Sequence, residues 1–206
     1  MKKDISDKTI GRLSLYRRVL YELSQKGVRN VFSHQLASSA GVTPAQLRRD
    51  LMAVSNIGSP QHGYNVQGLI ESISSLLDAS QPQFVGLVGA GNLGRAIIAY
   101  FAGRRPKLQI IAAFDRDPDK TNRLIHGCKC YPVEELVSVI MEKGITIGII
   151  TTPAEEAQAV AELLLRAEVK GIMNFAPAAL HVPQGVYVEN MDMTTSLEKL
   201  AYFARK

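Results

Sequence analysis

Three glycines and one acid have the spacing to do chemistry: Gly89-x-Gly91-x-x-Gly94 and, 21 residues beyond the last of them, Asp115. In a phosphate-binding turn of this pattern the first glycine permits a tight bend and the second lets the backbone approach a pyrophosphate. The third lets the following helix pack against the preceding strand. Unpaired N–H groups and the dipole at that helix N-terminus favour anions. An acid about 20 residues on hydrogen-bonds an adenosine ribose, and its charge repels a 2′-phosphate, which points to NAD(H) over NADP(H). Arg116 follows at once and softens that preference, because a neighbouring arginine accommodates the phosphate. The residues expected at the cofactor are Gly89, Ala90, Gly91, Asn92, Leu93, Gly94, Asp115 and Arg116. The glycines alone also fit an ordinary glycine-rich turn or another nucleotide such as coenzyme A.

These residues need a strand, a turn and a helix to position them. Four of the five residues Phe84 to Val88 are apolar, as a strand buried on both faces requires, and Ala96, Ile97 and Phe101 continue at helical spacing. Leu108 to Phe114 reads as a second buried strand delivering Asp115. The chain then keeps alternating strand and helix, with strands near Cys128 to Tyr131, Thr146 to Thr152, Gly171 to Phe175 and Val186 to Val188. That alternation demands a doubly wound parallel sheet. The end of the Thr146 strand faces the ligand side, so Thr152 and Pro153 are expected to border the nicotinamide half of a dinucleotide, or else to start a helix with Thr152 at N-cap and Pro153 at N1.

The formal net charge of +5 is unevenly divided: residues 1 to 66 hold ten Lys+Arg against four Asp+Glu, and the remainder is close to neutral. A basic head suggests a polyanionic partner, because neutralising phosphates supplies most non-specific nucleic-acid affinity. Within it, Leu13, Tyr16, Leu20 and Leu23 define a first helix ending at Lys26-Gly27, with Arg12, Arg17, Arg18 and Lys26 on its other sides. Ser33 is expected to cap a second helix through Ala40, and Gly41-Val42 makes a tight turn. Thr43, Pro44 and Gln46 then fall at N-cap, N1 and N3 of a third helix as a capping box. Leu47, Leu51 and Val54 share one face of it; Ala45, Arg49 and Met52 take the opposite one, with Gln46 and Arg48 at the margins.

This is the pattern of a helix-turn-helix whose second member enters a major groove, where arginine suits guanine and glutamine suits adenine. A three-helix bundle with a solvated basic face fits the same residues. The breaker cluster Gly58 to Tyr64 reads as a wing, with His62 in its turn and Tyr64 anchoring its base. Thr43, Gln46, Arg48, Arg49 and His62 are the DNA-side candidates. Leu69, Ile70, Ile73 and Leu76 return to helical spacing, and a linker follows. The expected division is a winged-helix domain over 1–78, a linker over 79–83, a nucleotide domain over 84–192 and a C-terminal helix over 193–206.

The remaining residues narrow the function. No apolar run reaches the roughly 18 residues of a membrane span, so a cytoplasmic protein is expected. Cys128 and Cys130 form neither a disulfide framework nor a zinc site, and no metal centre is expected. An NAD-dependent oxidoreductase, or a coenzyme A-binding protein with a regulatory head, is the alternative class. Hydride transfer to a carbonyl generally needs a general acid, and His34, His62, His126 and His181 lie in the basic head or beside loop signals.

Taken together, the chain resembles the Rex family of bacterial redox-sensing transcriptional repressors. The resemblance rests on Arg12-Leu13-x-x-Tyr16-x-Arg18-x-Leu20, Thr43-Pro-Ala-Gln-Leu-Arg-Arg-Asp-Leu51, Gly63-Tyr64-Asn65-Val66, the Gly89 to Ala96 turn, Phe114-Asp115, Asn174-Phe-Ala-Pro177 and Glu189-Asn-Met-Asp192. It implies an N-terminal winged helix-turn-helix domain joined to a C-terminal Rossmann-like doubly wound parallel sheet, an α/β protein. It further implies a homodimer with exchanged C-terminal helices, bound to palindromic operator DNA and released when NADH replaces NAD+. By the same resemblance Arg18, Tyr100 and Asp192 would link the two domains and the other subunit, and Met193 would approach the nicotinamide across the dimer. Two positions depart from the family: Ser59 to His62 replaces its usual Lys-Arg wing pair, and Met193 stands where an aromatic or leucine is common. The last helix is expected to open at a Thr195-to-Glu198 capping box, with Leu197, Leu200, Ala201 and Ala204 on one stripe.

Overall fold

The computed structural model describes residues 5–54, 63–104 and 107–205. It divides into two compact units, residues 1–80 and 81–206. In the first, α1 (Asp7–Gln25) starts on the Ser6 cap and ends where Gly27 takes a φ of +76°. A two-residue strand β1 (Asn30–Val31), α2 (Ser33–Ser39), α3 (Pro44–Leu51), β2 (Tyr64–Asn65) and α4 (Val66–Leu77) follow. β1 pairs antiparallel with β2, matching Val31 with Tyr64, so the start of α4 is stitched to the segment before α2. Leu13, Tyr16, Leu20, Leu36, Leu47, Leu51, Leu69 and Ile73 close the core of this unit.

Several local expectations shift. Ser33 is the first residue of α2 and not its cap; Phe32 holds that position, and its N–H donates to the Gln35 side chain at 2.9 Å. Thr43 does cap α3, accepting the Gln46 N–H at 3.2 Å, but the Gln46 side chain turns to Asp50 and not back to the cap. Arg17 does not decorate the surface of α1. It is buried and paired with Asp78 at 2.6 Å, which ties the end of α4 to α1. The first strand expected in the wing, and His62 with it, lies outside the described residues.

The second unit is a seven-stranded sheet: β3 (Gln83–Val88), β4 (Leu108–Asp115), β5 (Leu124–Ile125), β6 (Cys128–Pro132), β7 (Ile145–Ile150), β8 (Gly171–Asn174) and β9 (Tyr187–Asn190), in the order β5-β6-β4-β3-β7-β8-β9. All pairs are parallel except β5 with β6. The chain runs outward from β3 through β4 to β6, then returns to β7 and runs the other way, so the crevice at the carboxyl ends of β3 and β7 is the switch point where ligands bind in such sheets. The helices are α5 (Asn92–Phe101), α6 (Leu136–Glu142), α7 (Ala154–Arg166) and α8 (Met193–Phe203). The alternation is not strict. Between β4 and β6 the chain makes turns and the short antiparallel β5, and between β8 and β9 it runs without a helix. Cores lie on both faces of the sheet: Phe114, Leu136, Ile140, Ala161 and Leu164 on one, Leu87, Ile97, Ile98 and Cys130 on the other.

Candidate nucleotide cavity and DNA-facing helix

The glycine turn between β3 and α5 has three geometries for three glycines. Gly89 has a φ of +100°, and a Cβ there would sit 2.8 Å from the Thr151 carbonyl oxygen. Only glycine takes this bend without strain. Gly94 meets the turn from the helix side, where an added Cβ would fall within 2.1 Å of the Gly89 carbonyl oxygen. Gly91 is the opposite case: an added Cβ would meet nothing within 4 Å. Its backbone therefore faces open space at the N-terminus of α5, whose first N–H groups, on Asn92 and Leu93 onward, have no partner within the helix. Thr151, at the end of β7, fixes this turn by donating its hydroxyl to the Gly89 carbonyl at 2.7 Å.

Asp115 ends β4 beside the same turn and is 7% exposed. Its carboxylate accepts the N–H groups of Ala90 at 2.8 Å and Asp117 at 2.9 Å, and Lys120 approaches at 3.4 Å. A carboxylate has about four acceptor sites, so capacity remains for a ribose hydroxyl. A cavity of 480 Å³ opens here, within the range of small-molecule sites. It is lined by Val88, Gly89, Gly91, Thr151 and Thr152, by the charged Asp115, Arg116, Lys120, Glu155 and Glu156, and by the apolar Val133, Pro153, Ala159, Val160 and Leu163.

Thr152 and Pro153 thus share their cavity with the acid expected at the adenosine ribose. Pro153 is the cap position of α7, so the helix opens one residue later than a Thr152 cap would give. The freed Thr152 Oγ1 is buried with no hydrogen-bond partner. Arg116 forms an ion pair with Glu156 from the first turn of α7. Among the described residues no group of His, Cys, Asp and Glu side chains could hold a metal ion. Burial pushes Cys128 up to about 12 and Cys130 up to about 11, which leaves both thiols inert near neutrality.

A dinucleotide suits these groups. The open backbone at Gly91 provides the close approach a pyrophosphate needs, and Asp115 keeps acceptor capacity for a ribose hydroxyl. Sequence reasoning missed Lys120, Glu156 and the turn-fixing role of Thr151. The Lys120 position, five residues beyond Asp115 in a turn, carried no periodic signal.

In the first unit α3 presents Thr43, Arg48 and Arg49 on exposed positions. Arg48 donates to the Ser33 hydroxyl at 3.2 Å. Gln46 is drawn inward instead: its amide donates to Asp50 Oδ1 at 2.9 Å, so in this structure it is not presented as a base reader. Asp50, 3% exposed, gathers Tyr16 Oη at 2.8 Å and Arg12 through two bonds at 2.6 and 2.8 Å. Burial works to raise the Asp50 pKa, but the hydrogen bonds from Arg12, Tyr16 and Gln46 outweigh it and hold the carboxyl below its ordinary value. Burial and the hydrogen bond to Asp50 push the Tyr16 phenol well up. This charged knot locks α3 onto α1; from sequence Arg12 falls on the outer sides of α1, Tyr16 on its apolar stripe and Gln46 in a capping box.

The residues expected to link units and subunits lie on surfaces. Arg18 is exposed on α1. Tyr100 is exposed on α5 with the Arg104 guanidinium 4.5 Å from its ring centroid. Asp192 caps α8, accepting the Thr195 N–H at 2.9 Å, so the helix opens earlier than the expected Thr195 cap. Those bonds from Thr195 hold the Asp192 carboxyl below its ordinary value. No residue of α8 is buried; Met193, Leu197, Leu200, Tyr202 and Phe203 are 61–67% exposed. Met193 is not part of the cavity wall within one chain.

Comparison with known proteins places this geometry in context. Residues 80–178 match a family model described as "CoA binding domain", and residues 4–51 one described as "Putative DNA-binding protein N-terminus". A redox-sensing transcriptional repressor Rex of Carboxydothermus hydrogenoformans is 41% identical over 98% of this chain and 97% of its own length. One of Syntrophobacter fumaroxidans is 43% identical over 94% and 93%. Among solved structures, RSP in complex with β-NAD+ and operator DNA superposes with a TM-score of 0.90 at 33% identity, covering 98% of this chain and 94% of that one. RSP, described as a Rex-family repressor, has also been solved with β-NADH, at a TM-score of 0.87 and 33% identity over 98% and 95%.

Proposed function

Because the chain belongs to the Rex family of redox-sensing transcriptional repressors, we propose that it is a DNA-binding repressor that senses the NADH/NAD+ ratio and leaves its operator when NADH binds. It is not an enzyme. The observation that carries this reading is the likeness of the whole chain, both units included, to a repressor solved with β-NAD+ and operator DNA. The same protein solved with β-NADH supplies the second state of a sensor.

The roles follow from the site. Gly89 to Gly94 would hold the pyrophosphate against the N-terminus of α5, and Asp115 the adenosine ribose. Thr43, Arg48 and Arg49 would meet the operator from α3, with phosphate contacts setting position and base edges setting sequence. Bound dinucleotide supplies a nicotinamide ring that is cationic when oxidised and uncharged when reduced. An apolar, water-poor surround prefers the uncharged ring, because burying an unpaired charge is costly. The exposed apolar stripe of α8 supports a homodimer in which this helix lies on the other subunit and brings the partner's Met193 to that ring. Arg18, Tyr100 and Asp192 would then connect the units. The protein acts in the cytoplasm; no helix among the described residues is long and apolar enough to cross a membrane.

A ligand shifts a two-state equilibrium only by its difference in affinity between the states. The test is therefore fluorescence anisotropy on a palindromic operator of the family type, at fixed salt, with NAD+ and NADH titrated in parallel. Release by NADH alone is expected. Equal operator affinity at saturating NADH and NAD+ would exclude the sensor.

A further inference from the structure

Asp115 cannot by itself make the ribose end of the cavity hostile to a 2′-phosphate. Its charge is already matched by Lys120 at 3.4 Å and by two backbone N–H groups. Beside it stands Arg116, whose side chain is 72% exposed and long enough to reach a phosphate. Two cations therefore border the position where NADP(H) would carry a group of charge about −1.5 to −2. Left free, they would welcome it, since arginine pairs phosphate oxygens bidentately.

Neither is left free. Lys120 is held between Asp115 at 3.4 Å and Asp117 at 3.2 Å. Arg116 is taken by Glu156, which rises from the first turn of α7 and lines the same cavity. Glu155 lies next to it on the cavity lining, so three acids face two bases there.

We propose that Glu156 is a specificity-determining residue: by clasping Arg116 it denies the guanidinium to a 2′-phosphate and makes the site selective for NADH over NADPH. This rests on the nucleotide reading of the cavity and adds to it a residue that Asp115 needs in order to discriminate. The clasp is solvent-exposed, so it contributes little to stability. Its effect is on competition, since a phosphate must displace a carboxylate from Arg116 and accept that carboxylate as a neighbour.

The experiment titrates NADH and NADPH separately into the full chain, following nicotinamide fluorescence, for the parent and for E156Q, E155Q and E156Q/R116Q. In E156Q the ratio of NADPH to NADH affinity should rise at least tenfold. The double variant should return it toward the parent value, because Arg116 is the agent. E155Q removes the same charge from the same cavity without touching Arg116 and should move the ratio by a smaller factor. An unmoved ratio in E156Q, a loss of both affinities in proportion, or an equal shift in E155Q would overturn the clasp. If the parent chain bound neither dinucleotide, the nucleotide reading itself would fall, an outcome distinct from NADH binding with an unmoved ratio.

Discussion

The glycine turn allows one substitution to be tested at two positions with opposite outcomes. In Gly94→Ala the new methyl falls 2.1 Å from the Gly89 carbonyl oxygen and 3.0 Å from both Leu87 Cδ2 and Thr151 Oγ1. A flexible side chain could yield, but a carbonyl in a turn fixed by Thr151 cannot do so cheaply. Overpacking costs typically about 1–3 kcal/mol, and this site belongs at the upper end. At roughly 3–4 °C per kcal/mol for a domain of this size, the nucleotide unit should melt on the order of 10 °C lower. In Gly91→Ala the methyl meets nothing within 4 Å. Its φ of −75° and ψ of −165° are extended backbone that alanine adopts freely. Replacing glycine by alanine at a helix cap costs about 0.5–1 kcal/mol, and stiffening the unfolded chain returns about 0.4–1 kcal/mol, so stability should stay within about 0.5 kcal/mol. The methyl nevertheless occupies the space a pyrophosphate must enter, and NADH affinity should fall more than about tenfold, or 1.4 kcal/mol. Thermal unfolding by circular dichroism reads the first effect and nicotinamide fluorescence the second. The transition of the nucleotide unit is recognised by its rise with NADH in the parent. Gly91→Ala melting as low as Gly94→Ala, or binding NADH as tightly as the parent, would refute the assignment of the three roles.

Two further outcomes are expected. Asp50→Asn keeps the shape but leaves buried Tyr16 and half-buried Arg12 without a charged acceptor, so the first unit should lose about 2–3 kcal/mol in urea unfolding, with weaker operator binding. Because the folded Asp50 pKa lies below its ordinary 3.8, its contribution is complete well above that value and is lost as pH falls through the folded pKa. An acid titration should therefore destabilise the parent more than Asp50→Asn. Replacing Leu197 and Leu200 by lysine charges the exposed stripe of α8 without disturbing any core. Sedimentation should show dimers becoming monomers with the secondary structure of each chain unchanged; a dimer that persists would place the subunit interface elsewhere.

The glycine turn was legible because its backbone geometry is local. Gly89, Gly91 and Gly94 act on backbone within six residues of one another, and Asp115 follows at a distance set by one helix and one strand. The caps of α3 and the apolar stripes of α1, α4 and α7 are likewise periodic or short-range signals. Where side chains had two local options the choice was missed. Gln46 could complete a capping box or reach Asp50, and only the burial of Asp50 against Tyr16 made the second one favourable. Arg17 sits among basic surface residues on α1, and its inward turn depends on Asp78, 61 residues away.

The sequence by itself determined the two-part architecture, the parallel sheet and the glycine turn between β3 and α5, since hydrophobic period, glycine spacing and caps act within a few residues. Only the tertiary structure decided how charge is distributed at the site. It seated Lys120 beside Asp115, closed Glu156 on Arg116, buried Asp50 under Tyr16 and left the buried Thr152 hydroxyl without a partner. Electrostatic partners are chosen by distance and burial in space, and neither is written in the spacing of residues along a chain.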